Sequence, residues 1–144
     1  MITFKKAIFK LVSLTLLVVL LSSCSSDVDN ANATITPTPT ASLYKGSFVS
    51  AVHPTSGIAA INTDKTMLTF TSFMSDNGPN LDIYLVSDLS NVNAAFINLG
   101  DIKGLNGSYS YDLPANIDIT VYKHVVVWCS DFNVNFGYAT LVKQ

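Results

Sequence analysis

The chain has 144 residues, a length that fits one folded domain, and 49% of them are hydrophobic. Its eight lysines face ten aspartates, with no arginine and no glutamate, for a net charge of −2. That excludes the two-pronged arginine clamp for phosphate or carboxylate and a basic surface for nucleic acid, and it removes glutamate as acid, base or metal ligand.

The N-terminus reads as an export address. Lys5, Lys6 and Lys10 form a positive leader, and Leu11 to Leu21 follows as LVSLTLLVVLL without a charge. A spanning helix needs about 20 apolar residues, so this run suits the centre of a secretory signal peptide instead. Next comes Leu21-Ser22-Ser23-Cys24. It resembles the bacterial lipobox, in which a leucine and two small residues precede a cysteine that receives a diacylglycerol thioether. The resemblance implies cleavage before Cys24 and acylation of its new amino terminus. The plainer alternative is an ordinary signal peptide cut near Ser23. On the lipobox reading, residues 1–23 are signal peptide and the mature chain runs from Cys24 to Gln144. Five lysines then oppose ten aspartates, so the protein would be held at the bilayer by palmitate-like acyl chains and not by a basic patch.

Residues 24–42 continue as lipidated cysteine and tether. Ser25 to Ser42, SSDVDNANATITPTPTAS, is polar and proline-containing, with Val28 and Ile35 its only bulky apolar residues. Such a stretch buries too little surface to offset its ordering entropy. As a flexible spacer it would span about 25 Å. The address implies a bacterial cell envelope, periplasmic or surface-facing, with the choice of membrane left open.

From residue 43 to 144 short apolar runs alternate with turn clusters. Strands are predicted at Tyr44–Val49, Ile58–Asn62, Met67–Phe73, Leu81–Val86, Ala95–Leu99, Tyr109–Leu113, Ile119–Cys129 and Val134–Val142, the last broken at Gly137. Between them lie turn-formers such as His53-Pro54-Thr55-Ser56-Gly57 and Ser75-Asp76-Asn77-Gly78-Pro79. This spacing predicts an all-β, antiparallel β-sandwich-like domain. Alternation puts Leu81, Ile83 and Leu85 in the core with Asp82 and Tyr84 facing away, gives Leu68 and Phe70 one face, and places Phe132, Val134 and Phe136 on one face. Val125 to Cys129 is apolar on both parities and reads as a central strand covered on both sides.

Few residues carry chemistry. Once Cys24 bears lipid, Cys129 has no partner in the chain, and an odd thiol in an exported protein suggests a reactive group, an intermolecular bridge or a ligand. The competing reading is a buried cysteine packed as a small hydrophobe beside Trp128. His53, before a proline, and His124, on a strand, are isolated candidates for ligation or proton transfer. A cysteine–histidine pair suits haem iron or a soft metal, so the cofactor stands open between haem and none. Asp76, Asn77, Asn80 and Asp82 form an oxygen-rich loop without calcium-loop spacing. No hydrolase, kinase or zinc-protease motif occurs. Tyr84, Tyr109 and Tyr111 are expected as exposed aromatics that could serve a binding surface.

The last hundred residues resemble a known family. Gly46-Ser47-Phe48, His53-Pro54-Thr55-Ser56-Gly57-Ile58-Ala59, Asn77-Gly78-Pro79-Asn80-Leu81-Asp82-Ile83-Tyr84-Leu85, Leu99-Gly100-Asp101-Ile102-Lys103-Gly104-Leu105-Asn106-Gly107 and, most specific, Val127-Trp128-Cys129-Ser130-Asp131-Phe132 with the later Ala139-Thr140-Leu141 follow in its order. The segment is similar to the DM-thirteen domain of Skeletor-type animal proteins and bacterial lipoproteins. The resemblance implies a β-sandwich-like domain and a redox or electron-transfer role centred on the cysteine of the Trp-Cys block, which maps onto Cys129. The family's Gly-Pro-Asp-Leu is Gly78-Pro79-Asn80-Leu81 here, with one charge lost. Two functions follow as expectations. One is a membrane-anchored electron-transfer module with a redox or envelope protein partner. The other is a non-catalytic envelope lipoprotein that binds a partner or glycan, with Cys129 as core packing. An enzyme with a defined substrate is not expected.

Overall fold

The structure, a computed structural model, describes residues 41–144. The leader, Cys24 and the tether up to position 40 lie outside the described residues. The expected all-β, antiparallel fold is what forms. Its strands are β1 (Ser42–Ser50), β2 (Thr55–Asn62), β3 (Met67–Ser75), β4 (Leu81–Val86), β5 (Phe96–Asp101), β6 (Asn106–Asp112), β7 (His124–Cys129), β8 (Val134–Thr140) and β9 (Val142–Lys143), with a 3-10 turn at Val92–Ala94 between β4 and β5.

The strands hydrogen-bond in the order β5-β4-β7-β8-β1-β2-β3-β6, with β9 beside β1. The sheet curls into a barrel-like sandwich that is nearly closed. β1 turns the corner, because Ser42–Ser47 pairs with β2 while Phe48–Ser50 pairs with β8. Gly46 sits at that corner, where a Cβ would lie 2.3 Å from the Thr140 carbonyl oxygen. Only a residue without a side chain lets the two backbones come this close.

Alternation sorts the side chains as the strand period requires, except in β3, where a bulge between Phe70 and Phe73, with Ser72 at φ +49°, returns Phe73 to the face of Phe70. Leu68, Phe70 and Phe73 of β3, Leu81, Ile83 and Leu85 of β4, and Val125, Val127 and Cys129 of β7 point into the main core. Phe48 meets Phe70 and Phe73 edge-on, with centroids 5.0 and 5.1 Å away. Each such buried side chain stabilises the fold by about 1.5–3 kcal/mol. Val126 and Trp128 emerge on the other face of β7 and build a second cluster with Tyr84, Val86 and Val92. The β4–β5 connection roofs this cluster through Val92 and Leu89. β7 is therefore covered on both sides, as its two-parity apolar run predicts.

Four expectations need correction. The strand predicted over Ile119–Cys129 begins only at His124. Asp118 accepts bonds from the Thr120 backbone and hydroxyl and holds a turn there, while Ile119 still plugs the core. The last strand breaks at Leu141 and not at Gly137, which stays paired with Val127. Phe132 leaves the face of Val134 and Phe136. It lies in the β7–β8 turn at 69% exposure, outside the ladder that would impose alternation. Tyr84 and Tyr111 are buried at 6% and 2% exposure. The roof over the second cluster covers Tyr84, and Tyr111 packs into the main core against Phe70. Tyr109 is half-buried against the same core.

Candidate functional site

Cys129 closes β7 at one end of the sheet. There the β1–β2, β3–β4, β5–β6 and β7–β8 connections gather. Its side chain points inward, has no exposed surface, and is a free thiol. Cys129 is opposite Leu81 on β4 and Val134 on β8, and its Sγ donates to the Pro79 carbonyl oxygen at 3.0 Å. A carbonyl accepts only, so this contact requires the protonated thiol.

The three residues Cys129, Ser130 and Asp131 hold the loop above them in succession. After the thiol bonds Pro79, the backbone N–H and hydroxyl of Ser130 both donate to the Asn80 carbonyl at 3.0 Å. The Asn80 side-chain amide donates to the Asp131 carboxylate. Asn80 takes φ +44° to make this turn, a left-handed conformation that asparagine accepts more readily than most residues. Sequence reading saw the oxygen-rich loop but missed that the block around Cys129 is its clamp. The signal was present, since Ser130 and Asp131 belong to the same conspicuous Trp-Cys block.

The loop is pinned at its other end too. The Asp76 backbone N–H donates to the Pro54 carbonyl, and its carboxylate lies 3.3 Å from His53 Nδ1. The His53 ring stacks on Phe136 with centroids 3.9 Å apart. A Cβ on Gly78 would come within 2.6 Å of the Phe136 ring. His53, Phe136 and the Gly78-Pro79 turn thus form a layered plug next to Cys129. Within the oxygen-rich loop, Asp76 and Asn80 serve as pins, and Asp82 pairs across strands with Asp101. Among the described residues no cluster of three or more such side chains could hold a metal.

The two histidines part company. His53 shares the Cys129 end, whereas His124 opens β7 at the opposite end and cannot join Cys129 in a ligand set. His124 Nδ1 lies 2.9 Å from the Thr140 hydroxyl. Burial first and the neighbouring Lys123 second lower its pKa from the ordinary 6.5, against a smaller opposite pull from Asp88. Burial also raises the Tyr84 phenol above its ordinary range, with Asp82 adding to the effect. A haem needs an apolar slot beside its ligating sulfur. Here Cys129 is wrapped by core side chains, and the nearby depression of about 380 Å³ is lined by Asn80, Leu81, Asp82, Asp101, Ile102 and Ser130, a largely polar set. These residues do not fit a haem.

Comparison with known proteins decides the family. A family model described as Electron transfer DM13 matches residues 47–141. The chain belongs to the DM13 electron-transfer family. The match runs from the corner of β1 through Leu141 and takes in the whole Cys129 end. No curated protein and no solved structure matches the chain. The DM13 membership agrees with the resemblance carried by the Trp-Cys block and supports a redox role for the domain.

Proposed function

We propose that this chain is an exported, membrane-anchored DM13 electron-transfer module in which Cys129 is the redox centre and Cys24 carries the anchoring acyl chains. The observation that supports the centre is its placement. The only cysteine among the described residues lies directly beneath the Gly78-Pro79-Asn80 turn, its thiol proton held by Pro79. Burial keeps Cys129 from attacking a dissolved disulfide, a reaction that needs an accessible thiolate. Electron exchange across one layer of loop needs no such access. Oxidation would take one electron from Sγ to a metal centre on a partner protein, break the S–H bond and release its proton to solvent, leaving a thiyl radical on Cys129. Re-reduction would return both. The leader and the Leu21-Ser22-Ser23-Cys24 pattern support the anchor.

The test treats the folded exported protein with a one-electron acceptor, follows electrons delivered by absorbance and counts the sulfur-centred radical by electron paramagnetic resonance. A radical on Cys129 in step with electrons delivered is expected, with no delivery from Cys129→Ala. Equal delivery by the variant would overturn the reading. A second reading is favoured by the complete burial of Cys129. It is a non-catalytic envelope lipoprotein that binds a partner or glycan, with Cys129 as packing. It predicts that a folded Cys129→Val chain keeps its cellular role.

A further inference from the structure

The two halves of the domain differ in charge. The Cys129 end carries Asp76, Asp82, Asp101 and Asp131 against a single lysine, Lys103. Lys103 is turned back, its Nζ donating to the Ser110 carbonyl and standing 4.8 Å from the centre of the Tyr111 ring. The other half balances Lys45, Lys65, Lys123 and Lys143 against Asp64, Asp88, Asp112 and Asp118. The whole negative excess of the described residues therefore lies at one end.

Two further features mark that end. Asp82 and Asp101 are directly opposed across β4 and β5, an arrangement that repels. Among the described residues no lysine lies within ion-pair distance of either carboxylate, so none relieves it. Both carboxylates line the open depression beside Asn80 and Ser130. The same end carries two exposed apolar tips, Phe132 at 69% and Val52 at 67% exposure. The Val52 N–H bonds the Asn135 carbonyl, which sets the β1–β2 turn against the start of β8 that the Phe132 turn leads into.

We propose that this end docks a redox protein whose electron-exchange edge is ringed by lysines. The proposal rests on the redox reading of Cys129 and names the partner that reading requires. Charge complementarity selects a cationic face and speeds encounter. The apolar tips supply the small dry centre such contacts use. A patch this small makes a transient complex, suited to turnover. The contact would lie over the Gly78-Pro79-Asn80 turn, so the partner's cofactor edge and Cys129 would be separated by that single layer. Nucleic acid and anionic lipid are repelled by the same face.

The experiment titrates the full chain, isotope-labelled in nonionic detergent, with ferricytochrome c as a lysine-ringed probe and maps amide shifts. Shifts confined to residues 52–53, 76–82, 101–104 and 130–132 are expected, fading as salt shortens the screening length. Asp82→Asn with Asp101→Asn should weaken binding about tenfold, without lowering the thermal midpoint. The charge-matched Asp64→Asn with Asp118→Asn should leave it unchanged. Shifts at the opposite end, equal weakening by both variants, or no binding at low salt would overturn the docking face. Haem reduction is read separately by absorbance. If Cys129→Ala binds normally and reduces the haem as well as wild type, the redox reading falls while the docking face stands.

Discussion

At the scale of single residues the central fact is a buried thiol bonded to its own loop. Cys129 should resist a thiol reagent under native conditions and react fully after unfolding. Because Asn80 and Asp131 help hold the loop, Asp131→Ala should raise the native labelling rate severalfold at an unchanged denaturation midpoint. The check is labelling measured at several denaturant concentrations. A rate that tracks only global unfolding would show that the loop does not open by itself. Cys129→Ala should lower stability by about 1–2 kcal/mol, the loss of a small buried group with partial collapse of its space, read from a urea midpoint. Gly78→Ala acts on the same layer from above. Its new methyl meets a Phe136 ring that His53 already backs, so overpacking of about 1–3 kcal/mol is expected. Sequence alone isolated Cys129 by arithmetic on cysteines. It could not reveal the clamp, because Pro79 and Cys129 are fifty residues apart and their meeting is decided by strand pairing.

At the scale of elements, period-two patterning made β3, β4 and β7 legible and left boundaries to chemistry the pattern does not carry. The stretch before His124 is apolar enough for a strand, yet the Asp118 turn captures it, because a side-chain oxygen that bonds its own backbone competes with the ladder. Tyr84 was legible as facing away from the main core. Its burial was not, since that depends on the roof the β4–β5 connection lays over it. β1 gives a test of the corner. Gly46→Ala would drive a methyl into the Thr140 carbonyl, which neither strand can move without losing pairing. A loss of about 3 kcal/mol is expected, larger than for Gly78→Ala, where the obstacle is a side chain. The start of β7 gives a pH test. His124 has a folded pKa below its ordinary 6.5, so on acidification the unfolded chain takes up the proton first. Stability contributed by neutral His124 is complete above about pH 7 and is lost as pH falls from 6.5 toward the folded pKa. Urea midpoints from pH 7.5 down to 5 should show this decline, and His124→Gln should flatten it.

At the scale of the whole molecule, the even mixing of lysine and aspartate along the chain hides a sorted surface. Net charge and the cysteine count are readable from sequence. The separation of an acidic end from a balanced half is not, because it needs the strand order that brings four connections to one place. That order also sets what an anchor must do. The described domain has no helix long and apolar enough to cross a membrane, and its acidic excess is repelled by anionic lipid. In the proposed anchor, attachment would be through Cys24. Each buried methylene contributes about 0.8 kcal/mol, and a single acyl chain holds a protein only marginally while two or more hold it firmly. A chain with three acyl groups should therefore stay with the membrane fraction through high-salt and carbonate washes that strip electrostatically bound proteins. Cells fed labelled palmitate should incorporate it into the wild-type chain. Cys24→Ser should abolish incorporation and release the domain, while the protection of the Cys129 thiol stays as it was. Incorporation that survives Cys24→Ser, or a Cys24–Cys129 disulfide in the exported protein, would refute the anchor. The disulfide would also remove the unpaired sulfur on which the redox reading rests.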